Sequence, residues 1–301
     1  MHRSERRCPI VSINKYKVFK KVVELGSLTK AAEALGFTQS GVSHLINSLE
    51  DEVGFLLLSR NRSGVKLTEN GEMILKTVSE ILKWHEHLEQ QVAAIHGIEL
   101  GTIHIGTFTS VSVNWLPGII KDFQHDYPNI LVNFIEGDYR EIEDWIADGK
   151  IDCGFLSLPT RDAFDVIPLA KDQMLVLLPV DHPLSTKPVL RLTDIIDEPF
   201  IMQRKGGDDD INRVIEGTSF KPKIKYTVAD DYAIMAMVEK GLGISILPEL
   251  VLRGQQRKIR LIGLEEPKYR SLGIAVNSMK QVSPATKRFL DYVKKHPHLK
   301  I

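Results

Sequence analysis

The sequence predicts a protein in three parts: a small α-helical head closed by a hairpin, one long helix, and an α/β body in two lobes. Three observations carry that prediction. Short helical patterns separated by glycines fill residues 13–70, and one uninterrupted helical pattern runs over 69–96. From residue 102 onward strands and helices alternate. The chain has 301 residues, which suggests two or three domains at roughly 100–200 residues each.

Composition excludes several classes. A chain 43% hydrophobic and 26% charged is neither disordered nor of low complexity. No apolar run approaches the ~18 residues of a membrane helix, so no membrane partner is expected. Residues 1–7 are basic but no apolar segment follows, so a secretion signal is not expected either. Cys8 and Cys153 form no Cys-x-x-Cys pair, which disfavours a disulfide framework or structural zinc and fits a reducing cytoplasm. Net charge is zero, yet residues 1–66 hold 11 Lys/Arg against 6 Asp/Glu, and the remainder 28 against 33. A basic head on an acidic body points towards an acidic partner for the head.

In the head, Ile13, Tyr16, Phe19, Val22 and Val23 repeat at helical spacing, and Gly26 closes that helix. Ser27 or Thr29 caps a second helix over Lys30–Leu35, and Gly36-Phe37 makes a turn. Thr38 caps a third helix, Gln39–Glu52, with apolar face Val42, Leu45, Ile46 and Leu49, ended by Gly54. Leu56-Leu57-Leu58 suggests a short strand, Asn61-Arg62-Ser63-Gly64 has turn chemistry, and Val65-Lys66-Leu67 returns. Thr68 then caps the long helix.

This spacing makes a helix-turn-helix. Ala32 is small where the two helices touch, Gly36 is free of Cβ clash in the turn, and Leu35, Val42, Leu45 and Ile46 hold the second helix on the first. Gln39, Ser40, Ser43, His44 and Asn47 are left facing outward. Gln and Asn side chains can bond adenine in two places, Ser can contact phosphate, and a helix start favours phosphate. Arg60, Arg62 and Lys66 on the hairpin read as a wing that grips the backbone of double-stranded DNA. A three-helix core with a merely solvated face has the same spacing; the lack of any acid over Gln39–Asn47 tips the reading to DNA.

In the long helix, Ile74, Val78, Ile81, His85, Leu88, Val92 and Ile95 alternate steps of four and three. That 3.5-residue repeat is the seam of a helix paired with another helix, here about 40 Å long and ended by Gly97 and Gly101. Paired reading units match two half-sites on DNA, so a homodimer is expected, and a homotetramer as a pair of dimers. His85 is expected as a tolerated half-exposed residue, and with His87, His296 and His298 it gives no metal set.

In the body, strands are expected at 102–106, 130–135, 151–156, 174–179, 200–202, 224–228, 244–246, 258–262 and 270–277. Helices are expected at 111–126, 139–147, 191–196, 210–216, 232–239 and 284–295. The alternation implies a mostly parallel sheet with helices on both faces, split into two lobes. Ligands of open α/β sheets bind at the carboxyl ends of strands. Those positions are Thr107 and Ser110, Gly137 and Asp138, Ser157, Gln203, and Thr227 and Asp230. Ser110, at the start of a helix, suits a carboxylate or phosphate. Asp208-Asp209-Asp210 reads as a solvated cluster opening a helix rather than a cation site, and no metal or cofactor is assigned. Gly-x-Ser-x-Gly, the P-loop, His-Glu-x-x-His and Gly-x-Gly-x-x-Gly after a strand are all absent, so an enzyme is not expected.

The head resembles that of the LysR-type transcriptional regulators. The matching elements are Phe19, Gly26-Ser27-Leu28-Thr29, Ala31-Ala32, Thr38-Gln39-Ser40, Val42-Ser43, Ile46, Leu49-Glu50, Gly54, Leu57-Leu58-Ser59-Arg60 and Leu67-Thr68-Glu69-Asn70-Gly71. The body resembles the family's effector domain, notably over Val238–Pro248, so the likeness covers nearly all of the chain after residue 12. It implies a winged helix-turn-helix over 13–70, a linker and dimerisation helix over 71–97, and a two-lobed, periplasmic-binding-protein-like effector domain over 98–301. Lobe 1 would hold about 98–165 and 268–301, lobe 2 about 166–267, with residues 1–12 an extension outside the resemblance.

The resemblance also implies roles. Gln39, Ser40, Ser43, His44 and Asn47 would sit in the major groove, and Ser27, Thr29, Arg60 and Arg62 would approach phosphates, with Thr38 and Lys66 beside them. Ile74, Val78, Ile81, Leu88 and Val92 would form the dimer seam. His44 stands where the family often has Arg, and Leu58 where it usually has Phe. Asp138 stands where it often has Thr; a carboxylate there disfavours a simple dianion and suits an amine or hydroxyl. The expected function is a sequence-specific DNA-binding transcriptional regulator modulated by a small-molecule effector between the lobes. A solute-binding module, and an α/β enzyme with an accessory DNA-binding domain, are the competing readings.

Overall fold

The computed structural model describes residues 12–61, 64–161, 163–204, 210–254, 256–296 and 299. Arg62, Cys8, Asp208, Asp209 and His298, all named above, lie outside them. The chain divides into two compact units at Val92/Ala93.

The first unit runs α1 (Ile13–Leu25), α2 (Leu28–Leu35), α3 (Gln39–Val53), a hairpin of β1 (Leu58–Asn61) and β2 (Gly64–Leu67), then α4 (Glu69–Ile95), of which it holds the part up to Val92. Gly26, Gly36 and Gly54 end the first three helices with φ of 60°, 68° and 84°, a left-handed turn that side chains resist. The Ser27 and Thr38 hydroxyls accept from the Lys30 and Gly41 amides and start α2 and α3. Val18, Phe19, Val22, Ala31, Ala32, Val42, Ile46 and Leu49 make the core, closed by Leu57, Leu58 and Val78. The hairpin begins two residues later than expected, because Leu57 is spent on that core. Its entry is fixed by a buried acid: Glu50 Oε1 accepts from the Leu57 and Leu58 amides at 2.8 and 3.0 Å. A Cβ on Gly71 would stand 2.1 Å from the Leu57 carbonyl oxygen, so only glycine lets α4 start against this turn.

The second unit begins β3 (Gly101–Thr107), α5 (Thr109–Asn114), α6 (Leu116–Asp126), β4 (Ile130–Glu136), α7 (Tyr139–Ala147) and β5 (Cys153–Leu158). It continues β6 (Asp165–Pro179), β7 (Val189–Leu190), β8 (Pro199–Gln203), α8 (Asp210–Ile215), β9 (Lys223–Val228) and α9 (Asp231–Glu239). It ends β10 (Ser245–Pro248), α10 (Glu249–Leu252), β11 (Ile259–Leu264), β12 (Tyr269–Val276) and α11 (Pro284–Lys295). The helix expected over 111–126 is two helices, broken at the fully buried Trp115. The one expected over 191–196 is a single 3-10 turn, Leu192–Ile195.

The main sheet has the order β4-β3-β5-β12-β6-β11-β7, with β10 also on β6. β3 is parallel to β4 and β5, but β12 is antiparallel to β5 and β6, and β10 and β11 are antiparallel to β6. The sheet is therefore mixed, which corrects the mostly parallel expectation. The reason is topological: β12 returns from the end of the chain into the middle of the sheet.

The 15-residue β6 joins the lobes. It pairs with β12 through Gln173 and with β10 and β11 from Met174 onward. The change of pairing partner thus falls near 173/174. Met174–Leu178 is the apolar stretch of β6, whereas residues 165–173 carry Pro168, Lys171 and Asp172 and pair with β12. Each lobe has its own core, one around Ile103, Trp115, Phe123, Phe155 and Phe289, the other around Met174, Val176, Phe200, Ile211 and Ile246.

Candidate nucleic-acid interface and ligand cleft

On α3, Gln39, Ser40, His44 and Asn47 are exposed and Ser43 is half-buried, as expected of an outward face. Thr38 Oγ1 lies 3.1 Å from Ser40 Oγ, so the cap and the second polar position share a hydrogen bond. The hairpin and the helix are tied by Arg60, whose guanidinium donates to Ser43 Oγ at 3.2 Å and to Asn47 Oδ1 at 2.7 Å. Spacing alone did not anticipate that strap. It puts a positive charge directly on the helix face and uses Asn47's oxygen, leaving its NH2 group. Thr29, Lys30 and Lys66 are exposed beside it, while Ser27 is half-buried with its oxygen serving as a cap.

On α4, Ile81, Trp84, Leu88, Val92 and Ile95 are exposed, the last two at 47% and 83%. They are three, four, four and three residues apart, so the apolar stripe is continuous. Two expected seam residues belong elsewhere: Val78 is buried in the head's core, and Ile74 packs against it. Trp84 lies on this stripe although the 3.5-residue spacing names His85 at that step; His85 lies 3.5 Å from Glu89, one turn on.

The second unit contains a buried polar network centred on Arg270, which is 6% exposed. Its guanidinium donates from Nε to Asp172 Oδ2 at 2.8 Å, from Nη2 to Ser110 Oγ at 2.8 Å, and from Nη1 to Tyr139 Oη at 2.9 Å. Nη1 also reaches Asp210 Oδ2 at 3.1 Å, and the guanidinium carbon stands 5.4 Å from the Phe108 ring centre. Asp210 Oδ2 accepts from Tyr139 Oη at 2.9 Å, and Oδ1 from Ser157 Oγ at 3.1 Å. Burial pulls against the charge on Arg270, but Tyr139, Asp210 and Asp172 more than offset it, so the guanidinium is held above its ordinary range. Burial likewise pushes the Asp172 carboxyl up, opposed by Arg270 and by the Leu250 amide. Between the lobes, Phe108, Ser110, Gln203, Asp210, Asp231 and Arg270 line a cavity of about 20 Å3. Half-buried Asp231, held by Gln203 Nε2 at 3.1 Å, has its pKa pushed up to about 6, mainly by burial.

Of the expected ligand residues, Ser110 and Gln203 line this cavity, and Ser157 stands behind it on Asp210. Thr107 is buried and accepts from Ser112 Oγ. Asp138 and Asp230 serve as helix caps, accepting from the Glu141 and Ala233 amides. Gly137 makes room for Trp145, whose ring would lie 2.5 Å from a Cβ there, and Thr227 is exposed. Asp210 overturns the reading of a solvated cluster, since it is 3% exposed. Arg270, Asp172, Tyr139 and Asp231 were missed. The available signal was a lone arginine inside the apolar strand Tyr269–Val276.

Two family models match the chain: "Bacterial regulatory helix-turn-helix protein, lysR family" over residues 13–72 and "LysR substrate binding domain" over 96–297. The chain belongs to the LysR family. Among relatives of this LysR-family protein is the uncharacterized HTH-type transcriptional regulator YvbU of Bacillus subtilis (strain 168), 37% identical over 94% of this chain and 98% of that one. Another is the probable HTH-type transcriptional regulator LrrA of Synechococcus elongatus, 31% identical over 94% and 97%. A full-length OxyR variant from Pseudomonas aeruginosa shares the fold, with a TM-score of 0.77 at 22% identity over 95% of this chain and 96% of that one. So does full-length CbnR in complex with its target DNA, with a TM-score of 0.66 at 20% identity over 94% and 99%. This LysR-family transcriptional regulator thus joins a DNA-binding helix-turn-helix to an effector-binding domain. No helix among its described residues is long and apolar enough to cross a membrane.

Proposed function

We propose that this regulator reads duplex DNA with Gln39, Ser40, Ser43, His44 and Asn47 in the major groove. Ser27, Thr29, Thr38, Arg60, Arg62 and Lys66 meet the flanking phosphates. Two copies pair through the Ile81, Trp84, Leu88, Val92 and Ile95 stripe, which brings two reading heads to two half-sites, and pairs of dimers give the tetramer. A small-molecule effector acts in the interlobe cleft at Ser110, Gln203, Asp231 and Arg270, and shifts the population of lobe arrangements. The protein acts in the cytoplasm, as a binder and not an enzyme.

One observation carries the DNA reading: a polar helix face without a carboxylate over Gln39–Asn47, with Arg60 laid along it. Gel-shift titrations against duplex oligonucleotides at several salt concentrations test it. The wild type should bind with a steep inverse salt dependence, and Arg60→Ala should weaken binding to every sequence and flatten the log–log slope by about 0.9. A chain that ignores duplex DNA in dilute buffer removes the reading.

A further inference from the structure

α8 belongs to lobe 2, where Ile211 and Val214 are buried in the core. Its first residue, Asp210, nevertheless sends its carboxylate into lobe 1. Its three hydrogen-bond donors among the described residues are there: Ser157 on β5, Tyr139 at the start of α7, and Arg270 on β12. Arg213, one turn along the same helix, donates to Ser157 Oγ at 3.0 Å and to the Leu158 carbonyl at 3.1 Å. α8 is therefore fastened across the cleft by an acid and a base. With that fastening in place the cavity holds about 20 Å3, room for a water and not for an organic molecule. An organic ligand seated on Arg270 would have to take the place of a group already bonded there.

We propose that Asp210 is a tethered competitor for the effector's own carboxylate, so that a small monocarboxylate binds this regulator by displacing Asp210 from Ser157, Tyr139 and Arg270 and releasing α8. This rests on the effector-cleft reading above and specifies its chemistry. The seat fits a flat two-oxygen group: one oxygen is served by a hydroxyl, the other by a phenol and a guanidinium. Exchange of one carboxylate for another leaves the charge around Arg270 unchanged. Asp172 is already on Arg270, and Asp231 lines the same cavity, so a second negative charge on the ligand would meet repulsion. The displaced helix carries Asp210 and Arg213 out of lobe 1 together, and that couples occupancy to the lobe arrangement.

The test is chemical rescue in the full chain. Asp210→Ala empties the seat, and sodium acetate is the probe. The thermal unfolding midpoint of Asp210→Ala should rise saturably with acetate, by about 2–4 °C, while sodium chloride of equal ionic strength does nothing and the wild type shifts little. Adding Tyr139→Phe should weaken the acetate response. Should Asp210→Ala fail to fold, Asp210→Ser keeps a short polar residue at the helix start, still vacates the seat, and should show the same acetate dependence. Indifference to acetate, an equal response to chloride, or a response unaltered by Tyr139→Phe overturns the proposal. A wild-type footprint on DNA that shifts with a neutral or cationic metabolite, with no acetate rescue, removes this proposal and leaves the sensor standing. Acetate rescue in a chain whose footprint no metabolite moves shows the carboxylate seat but removes the sensor, and with it the effector role proposed for that seat.

Discussion

Asn47 and Arg270 are both polar groups to which recognition is ascribed in the proposed function, and they meet opposite surroundings. Asn47 is exposed on a helix and touches Arg60, 13 residues away in sequence. Arg270 is buried, and its partners Ser110 and Tyr139 come from 160 and 131 residues away. The head offers donors and acceptors to a partner that is still to arrive. The cleft satisfies its groups internally, so a ligand there must replace a bond that already exists. A solvent-facing surface needs no internal complement, whereas a buried charge does. The head can thus be changed at little cost to folding, and the cleft cannot.

Four substitutions break or sharpen that contrast. Arg270→Ala strands the buried carboxylates of Asp172 and Asp210 and should cost about 3–5 kcal/mol in a urea denaturation of the full chain. A loss below about 1 kcal/mol would mean that the network is no more than a surface ion pair. Glu50→Gln tests a place where the head behaves like the cleft. Its buried oxygen takes two backbone amides, and replacing the charge should cost about 1–3 kcal/mol of stability. Asn47→Ala should leave the melting point alone and relax base preference at one position by about 1–3 kcal/mol, read by competition gel shifts with single-base variants. Should it destabilise the fold instead, the face is structural and the contrast fails.

The smallest effect is expected at Asp231. Its carboxyl is pushed up to about 6, so the folded state binds the proton more tightly than the unfolded chain. The burial cost is therefore fully present above pH 6, is relieved as pH falls through 6, and makes no further change below about 4, where both states are protonated. Asp231→Asn should be more stable than the wild type at pH 7–8, and that advantage should shrink steadily towards pH 5. A stability difference that stays level across this range would show that Gln203 already holds the ionised form.

The head was legible because its determinants are local. Gly26, Gly36 and Gly54 stop helices, Ser27 and Thr38 start them, and the leftover polar positions on α3 fall on one face. The long helix was legible as a pattern, but the spacing could not say where the head's claim on it ends, and Val78 went to the core. In the body the strands were visible and their directions were not, since β12 and β6 pair across about a hundred residues. Asp230 was chosen at a strand end and turned out to be a cap, while its neighbour Asp231 faces the cavity. One residue of phase along a helix start decides that, and composition carries no phase.

By itself the sequence determined the order of the parts, the helix stops and starts, and the outward chemistry of the recognition helix. Each of these depends on interactions within a turn or two of the chain. Only the tertiary structure decided that β6 runs through both lobes, that Asp210 crosses from one to the other, and that Arg270 gathers Ser110, Tyr139, Asp172 and Asp210. Burying one charge obliges distant segments to supply its partners, and no local pattern records which segments those are.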